Sequence, residues 1–262
     1  MTAEKPAPAS DYDQFVDWGK RLARETPFFR RLFDEVGASA VIDVGAGSAR
    51  HSIEFASWGM SVDAVDPSES MLAQAEANIA DASDRIGAAG GELRLLSGGF
   101  GELAAHGLRD ADALVCTGNA LPHVAGRAGL REALADFSAV MRPGGVVVLH
   151  LLNHARLLSA RIRTIPPVVR DTPEGTKMFL RVIDYPEGGE FLEFDFLTLA
   201  RGTDGEWQVE HRRSPHTALP FELLRSELEA AGFQNVEAFG NHEGKPFDAE
   251  KDESVIVVAR RG

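Results

Sequence analysis

The segment Val41-Ile42-Asp43-Val44-Gly45-Ala46-Gly47 constrains this chain more than any other. A short apolar, β-branched run that stops on two closely spaced glycines reads as a buried strand entering a tight turn. Without Cβ atoms, that turn lets a ligand lie directly against the main chain and the start of the next helix. A second apolar run, 61–65, ends at Asp66-Pro67, and Ser68 is placed to cap a helix carrying Met71, Leu72, Ala75 and Ile79. A carboxylate at that point can accept both hydroxyls of a ribose. The two features together point to a nucleoside ligand at the carboxyl edge of a sheet.

The rest of the chain supports that reading. Phe15, Trp18, Leu22, Phe29, Leu32, Phe33 and Val36 recur at mostly helical spacings, and Thr26-Pro27 reads as an N-cap and first helical residue. Two helices are therefore predicted over 11–36, behind a frayed tail. A helix over 48–58 stops at Gly59. Runs 93–96 and 111–116 are a third and a fourth strand, the latter followed by the polar turn Thr117-Gly118-Asn119. Leu130, Leu134, Phe137, Val140 and Met141 share a helical face, Pro143-Gly144-Gly145 breaks it, and 146–151 is a fifth strand. Strands alternating with helices imply a parallel sheet covered on both faces. After Asn153 the pattern changes to three strand-like runs, 177–185, 190–200 and 207–213, with glycine turns between them that predict hairpins. A helix through Phe221, Leu224, Leu228 and Ala231 stops at Gly232, and runs 235–239 and 254–259 close the chain.

Composition excludes several function classes. The 262 residues carry 27 Lys+Arg against 40 Asp+Glu, a formal charge of −13, which argues against a general nucleic-acid binder. A single cysteine, Cys116, forms no internal disulfide and no multi-cysteine metal site, and it reads as a small buried hydrophobe. No metal site is expected. No apolar run approaches the roughly 20 residues that span a bilayer. The Ala/Pro-rich start has no secretory apolar core, so a soluble, cytoplasmic protein is expected.

The identity of the nucleoside follows from what the turn lacks. A dinucleotide fingerprint needs a third glycine where Arg50 stands, and no Gly-Lys-Ser/Thr follows for a P-loop. Asp43, two places before the first glycine, suits an ammonium or a cationic ligand better than a pyrophosphate.

Here the residues resemble the class I S-adenosylmethionine-dependent methyltransferases. The resemblance covers Val41 to Gly47, Val65-Asp66-Pro67-Ser68-Glu69-Ser70-Met71-Leu72, and the strand after Arg142-Pro143-Gly144-Gly145. A narrower resemblance is to glycine and sarcosine N-methyltransferases. It rests on Thr117-Gly118-Asn119-Ala120-Leu121-Pro122-His123, Asn153, Ser214-Pro215-His216 and Arg21. It implies a Rossmann-like α/β fold with a seven-stranded, mostly parallel sheet whose last strand is antiparallel. Lid helices over 1–36 would precede the catalytic domain of 37–262, with an inserted antiparallel β cap at about 165–215. The implied cofactor is S-adenosyl-L-methionine, leaving S-adenosyl-L-homocysteine.

Its expected contacts are Tyr12, Arg21, Asp43, Gly45, Ala46, Gly47, Asp66, Pro67, Met71, Gly99, Phe100, Thr117, Asn119 and His123, with the adenine held by stacking and main-chain contacts near Phe100. His123 and His216 are the candidate catalytic residues. Asn119, Asn153, Arg181 and His216 are the candidate substrate contacts, Arg181 because it interrupts an apolar run inside the basic stretch 156–181. His150 reads as a core histidine, and His51, His106, His154, His211 and His242 fit no pattern. Where the family has an arginine clamping the amino-acid carboxylate this chain has Leu152, and His154-Ala155 stand where the family has Tyr-Asp.

The expected reaction is methyl transfer to a small-molecule acceptor, on an amine nitrogen but not that of glycine. C- or O-methylation of a quinone-like or phenolic molecule is the alternative. A non-catalytic cofactor-binding module and an NAD-type oxidoreductase fit less well. A homodimer is allowed, with the oligomeric state left open.

Overall fold

The computed structural model describes residues 13–172 and 175–262. Helix α1 (Trp18–Val36) leads into β1 (Ala40–Val44), α2 (Arg50–Ala56), β2 (Ser61–Asp66), α3 (Glu69–Ala88), β3 (Glu92–Ser97) and β4 (Ala111–Cys116). Then come α4 (Gly126–Val140), β5 (Met141–Leu152) and α5 (His154–Ala160). Strands β6 (Thr164–Thr172), β7 (Gly175–Asp184), β8 (Phe191–Gly202) and β9 (Trp207–Thr217) precede α6 (Phe221–Ala230), β10 (Phe233–Phe239) and β11 (Ser254–Arg261).

Seven strands form one sheet in the order β10-β11-β5-β4-β1-β2-β3, and four form a second in the order β6-β7-β8-β9. Strands β1 to β5 pair in parallel, while β11 runs antiparallel to both β5 and β10. The chain leaves β1 towards β2 on one side and returns to β4 on the other. The turn after β1 therefore lies at a topological switch point, where the crevice of an open α/β sheet opens.

Alternation along the central strands builds two apolar layers. Val41, Ala113, Val115, Val146, Val148 and Ile256 pack with Phe28, Phe29, Leu32, Phe33 and Phe55 of α1 and α2. Ile42, Leu114, Cys116, Val147, Leu149 and Val257 pack with Leu130, Leu134 and Phe137 of α4 and Leu224 and Leu228 of α6. A period of two on a sheet covered on both faces produces this division.

Two expectations need correction. Helix α1 is continuous through Pro27 instead of splitting there. A proline inside a helix costs about 3 kcal/mol, but Phe28, Phe29, Leu32 and Phe33 are all buried just beyond it. At roughly 1.5–3 kcal/mol per buried side chain their packing outweighs the break. The Thr26 hydroxyl also donates to the Leu22 carbonyl at 2.5 Å. The cap sheet has four strands, not three, because β6 joins β7 along its edge. Its two prolines, Pro166 and Pro167, fall where the register shifts and fit an edge strand. The short helix α5 had no sequence expectation. Among the described residues no helix is long and apolar enough to cross a membrane.

Candidate functional site

The turn after β1 is built from main chain. The Gly45 and Ala46 amides donate to the Val65 carbonyl at 2.8 and 3.1 Å. Gly45 has φ +70°, and a Cβ there would lie 2.6 Å from the Ala120 Cβ, so only glycine fits. Asp66, at the end of β2, accepts from the Gly47 amide at 2.8 Å and the Ser68 amide at 2.9 Å. Burial raises its pKa against those two bonds, and no side-chain cation is among the causes of its shift. The carboxylate thus faces the turn with lone pairs left for a neutral hydroxyl partner. Ser68 caps α3 through the Met71 amide, as expected. On β1, Asp43 is buried and accepts from the Ser52 hydroxyl at 2.6 Å, and burial raises its pKa too.

The segment before α1 closes over this turn. Asp13 accepts from the Ser48 hydroxyl, the Arg50 guanidinium, the Asn78 amide and the Trp18 indole. Two residues on, the Phe15 carbonyl accepts from Arg170 of β6 at 3.1 Å, and its ring meets Phe179 of β7 edge-on at 5.6 Å. One stretch of chain therefore joins the glycine turn to the cap sheet. Tyr12 lies outside the described residues.

Beneath the turn is a hub that the sequence reading missed. Glu25 of α1 is buried and accepts from Arg21 Nε at 3.0 Å and from His51 Nε2 at 2.8 Å. His51 Nδ1 lies 3.4 Å from the Thr117 hydroxyl, at the end of β4. Burial alone would raise the Glu25 carboxyl, but the His51 hydrogen bond and the Arg21 charge hold it well below the usual range. His150 and His242 complete the cluster, their rings edge-on at 5.1 Å. Burial pushes them down to about 3 and about 4, so both are neutral at pH 7. Their donor atoms and the Glu25 carboxylate lie within 4.8 Å of one another, and His150 Nδ1 is buried with no partner among the described residues, unlike the satisfied core histidine expected there. Arg21 and Arg24 beside Glu25 already balance its charge, and the hydrogen bonds of the hub run from Arg21 and His51 to Glu25. The Arg21–Glu25 spacing of one helical turn was the available signal. Nothing comparable marks His51 or His242.

On the other side of the β4 turn the cap sheet supplies the side chains. Asn119 Oδ1 accepts the Leu152 amide at 2.9 Å, which fixes the orientation of the side-chain amide. Its Nδ2 therefore faces and donates to His216 Nδ1, 3.3 Å away. His216 must then carry its proton on Nε2, and that buried N–H has no partner among the described residues. Burial, with His123 and His154 nearby, pushes the His216 pKa down to about 2. It is a neutral hydrogen-bond donor. A group with that pKa takes up no proton at pH 7.

His216 stacks on Phe194 at 4.3 Å between centroids and meets His123 at 4.4 Å. His123 lies 3.4 Å from the Ser214 hydroxyl, and loss of solvent around its ring, with Arg212 nearby, lowers its pKa. The cross-strand row Arg181–Phe196–Arg212 lies on the same inner face. Arg212 stands over the Phe196 ring at 4.5 Å and Arg181 over Phe15 at 5.1 Å, and burial lowers the Arg181 pKa. Phe194, Phe196 and Arg212 had not been singled out, since alternation in a strand does not reveal which face the fold covers.

The remaining candidates sit as follows. Pro67 and Met71 flank the Ser68 cap, Gly47 completes the turn, and Thr117 ends on the His51 hub. The Gly99 amide donates to Glu102 at 2.6 Å, and Phe100 packs against Phe137 at 6.1 Å. Asn153 departs from the substrate role expected of it. Its Nδ2 donates to the Ala249 and Asp252 carbonyls and its Oδ1 caps α5 at the Arg156 amide, so its hydrogen-bonding capacity goes to main chain. His154, read as background, is buried and accepts the Leu219 amide at 2.8 Å.

The chain matches a family model described as a methyltransferase domain over residues 41–145. It is 34% identical over 250 residues to a glycine/sarcosine N-methyltransferase of Parasynechococcus marenigrum, covering 95% of this chain and 81% of that protein. Among solved structures it is similar to an S-adenosylmethionine-dependent methyltransferase from Clostridium acetobutylicum, with TM-score 0.76, 15% identity and 97% of each chain covered. It is also similar to a sugar N-methyltransferase from a Streptoalloteichus species, with TM-score 0.73, 19% identity, 100% of this chain covered and 97% of that one. These two structures share its fold.

Proposed function

The chain belongs to the class I S-adenosylmethionine-dependent methyltransferases, in the family of the glycine/sarcosine N-methyltransferases, and on that premise we propose that it methylates a nitrogen of a small amine other than glycine. The cofactor is S-adenosylmethionine. When bound it supplies a methyl group already activated on a sulfonium. The chain's task is then to bind, orient and exclude water.

The residues present fit that cofactor. The Gly45–Gly47 turn offers bare main chain, and Asp66 would accept the ribose hydroxyls. Asp43 would offset the positive charge, while Arg21, held at Nε by Glu25, would pair with the carboxylate. The segment through Asp13 and Phe15 would shield the site.

The observation that carries the acceptor side is the hydrogen bond from Asn119 to His216. It joins the cofactor edge to the cap and leaves a buried Nε2–H without a partner among the described residues. That donor would orient an oxygen of the acceptor. The nitrogen must arrive with its lone pair free, and Arg181, Arg212 and the buried neutral imidazoles disfavour an ammonium there. Its proton would leave to solvent without a dedicated base. Glycine is disfavoured because the Leu152 side chain, at the family's clamp position, packs with Leu157, Ile183 and Leu192 and carries no cation. The aromatic lining of Phe194 and Phe196 favours O-methylation of a phenol as the second reading.

The test is turnover of methyl-labelled cofactor with a panel of amines, amino acids, phenols and quinols. Label on nitrogen with glycine among the poorest acceptors is expected. Efficient glycine turnover, or label on oxygen alone, overturns the proposal.

A further inference from the structure

The charged residues of the cap strands are sorted between the two faces of the sheet. Register puts Arg170, Lys177, Arg181 and Arg212 on the inner face, over the site, with Glu210 as the one carboxylate beside them among the described strand residues. Asp171, Asp184, Glu193 and Asp195 fall on the outer face, with Arg201 and Arg213. There Asp184 and Asp195 accept from Arg213, and Asp171 accepts from Thr176. A chain of formal charge −13 therefore turns a cationic surface towards its site.

Arg181 is distinct within that group. It is half-buried, its guanidinium stands over the Phe15 ring at 5.1 Å, and it makes no ion pair or hydrogen bond among the described residues. Glu253 acts on it only through space. Stacking engages the face of a guanidinium and leaves its in-plane N–H donors for a ligand. Holding a cation half out of water costs desolvation energy, which an incoming anion offsets.

A stack of rings joins this row to the acceptor side. His216 lies on Phe194 at 4.3 Å, Phe194 on Phe196 at 6.0 Å, and Arg212 stands over Phe196 at 4.5 Å. The row of Arg181, Phe196 and Arg212 is four residues along β9 from His216, about 13 Å at about 3.3 Å per residue.

We propose that Arg181, with Arg212 across Phe196 from it, forms a distal anion subsite, and that the acceptor is an elongated amine. Its nitrogen would lie at the cofactor edge, a flat apolar middle along Phe194 and Phe196, and an oxyanion at the far end. The proposal rests on the reading above that the inner face of the cap receives the acceptor. Anion and reacting nitrogen then stand roughly 10 Å apart. Glycine, whose carboxylate is one carbon from its nitrogen, cannot engage both ends. This is a reason for its exclusion that does not depend on Leu152.

Calorimetry on the S-adenosylhomocysteine-loaded enzyme tests the subsite without any methyl transfer. The probes are para-phenylbenzoate and the isosteric para-phenylbenzamide. The acid should bind about 20-fold more tightly than the amide. Arg181→Gln should cut that preference a few-fold, Arg181→Lys should restore most of it, and Arg181→Gln/Arg212→Gln should bring it near one. S-adenosylhomocysteine affinity is the check on folding in each variant. No binding of the acid, equal affinities of acid and amide in the wild type, or a preference that survives the double substitution overturns the proposal. Turnover of the acid carrying an aminomethyl group on its far ring is measured separately. An acid preference that depends on both arginines, found without label on nitrogen, upholds the subsite and counts against N-methylation alone.

Discussion

The carboxyl edge of the seven-stranded sheet and the inner face of the cap sheet meet at one place but are made differently. The edge is main chain: two glycines, amides paired to the Val65 carbonyl, and a carboxylate bonded to two backbone N–H groups. The cap face is side chain: imidazoles, phenyl rings and two guanidiniums on a plain antiparallel ladder. A main-chain site tolerates almost no change, because its shape is the backbone itself. A side-chain site can be revised residue by residue without disturbing the strands beneath it.

The largest expected effect comes from acid, which attacks side-chain-built regions first. His150, His154, His216 and His242 are held neutral in the fold, with pKa values pushed by burial to about 3, 4, 2 and 4 from an ordinary 6.5. Between pH 6.5 and 4 the unfolded chain binds those protons and the folded chain does not, so stability falls as pH falls. Each histidine contributes at most about 1.4 kcal/mol per pH unit. Chemical denaturation at pH 7, 6 and 5 should show a loss of several kcal/mol, and a flat profile would contradict the buried neutral imidazoles. Next in size, Asp66→Ala should weaken S-adenosylhomocysteine binding about 100-fold, roughly 3 kcal/mol, by calorimetry. Wild-type affinity in that variant removes the main-chain edge from the comparison.

Gly45→Ala should cost about 2 kcal/mol, because it places a side chain at positive φ against Ala120. The readouts are melting temperature and cofactor affinity, and an unchanged protein shows that the turn adapts. On the cap side, His216→Ala should lower kcat/KM for the acceptor about 10-fold while cofactor affinity stays the same. Equal losses in both would mean that the two regions are not separable. Arg181→Ala is expected to be smallest, raising the acceptor KM a few-fold. No change in KM would assign Arg181 to packing over Phe15.

Legibility followed the same division. The glycine turn, Asp66 and the Ser68 cap are local patterns, and periodicity in the core strands and helices was readable because a covered sheet and an amphipathic helix impose it. Pro27 misled because the break it signals is local, whereas the four aromatic and aliphatic contacts that override it are tertiary. The edge strand β6 was invisible for the opposite reason: its prolines and charges carry no alternation. Asn153 shows the limit of matching positions, since the same side chain can cap a helix and pin a loop. Glu25, His51, His150 and His242 come from four separate parts of the chain, and no spacing could have joined them.

By itself the sequence determined the α/β class, the glycine turn and Asp66 at the carboxyl edge of the sheet, and the family with its S-adenosylmethionine cofactor. These depend on backbone conformation and hydrophobic period, which are written in neighbouring residues. Only the tertiary structure decided that His216 is a neutral donor oriented by Asn119, that Glu25 is the hub under Arg21, and which face of the cap sheet looks outward. Those properties arise from burial and from contacts between distant segments, and burial exists only once the chain has folded.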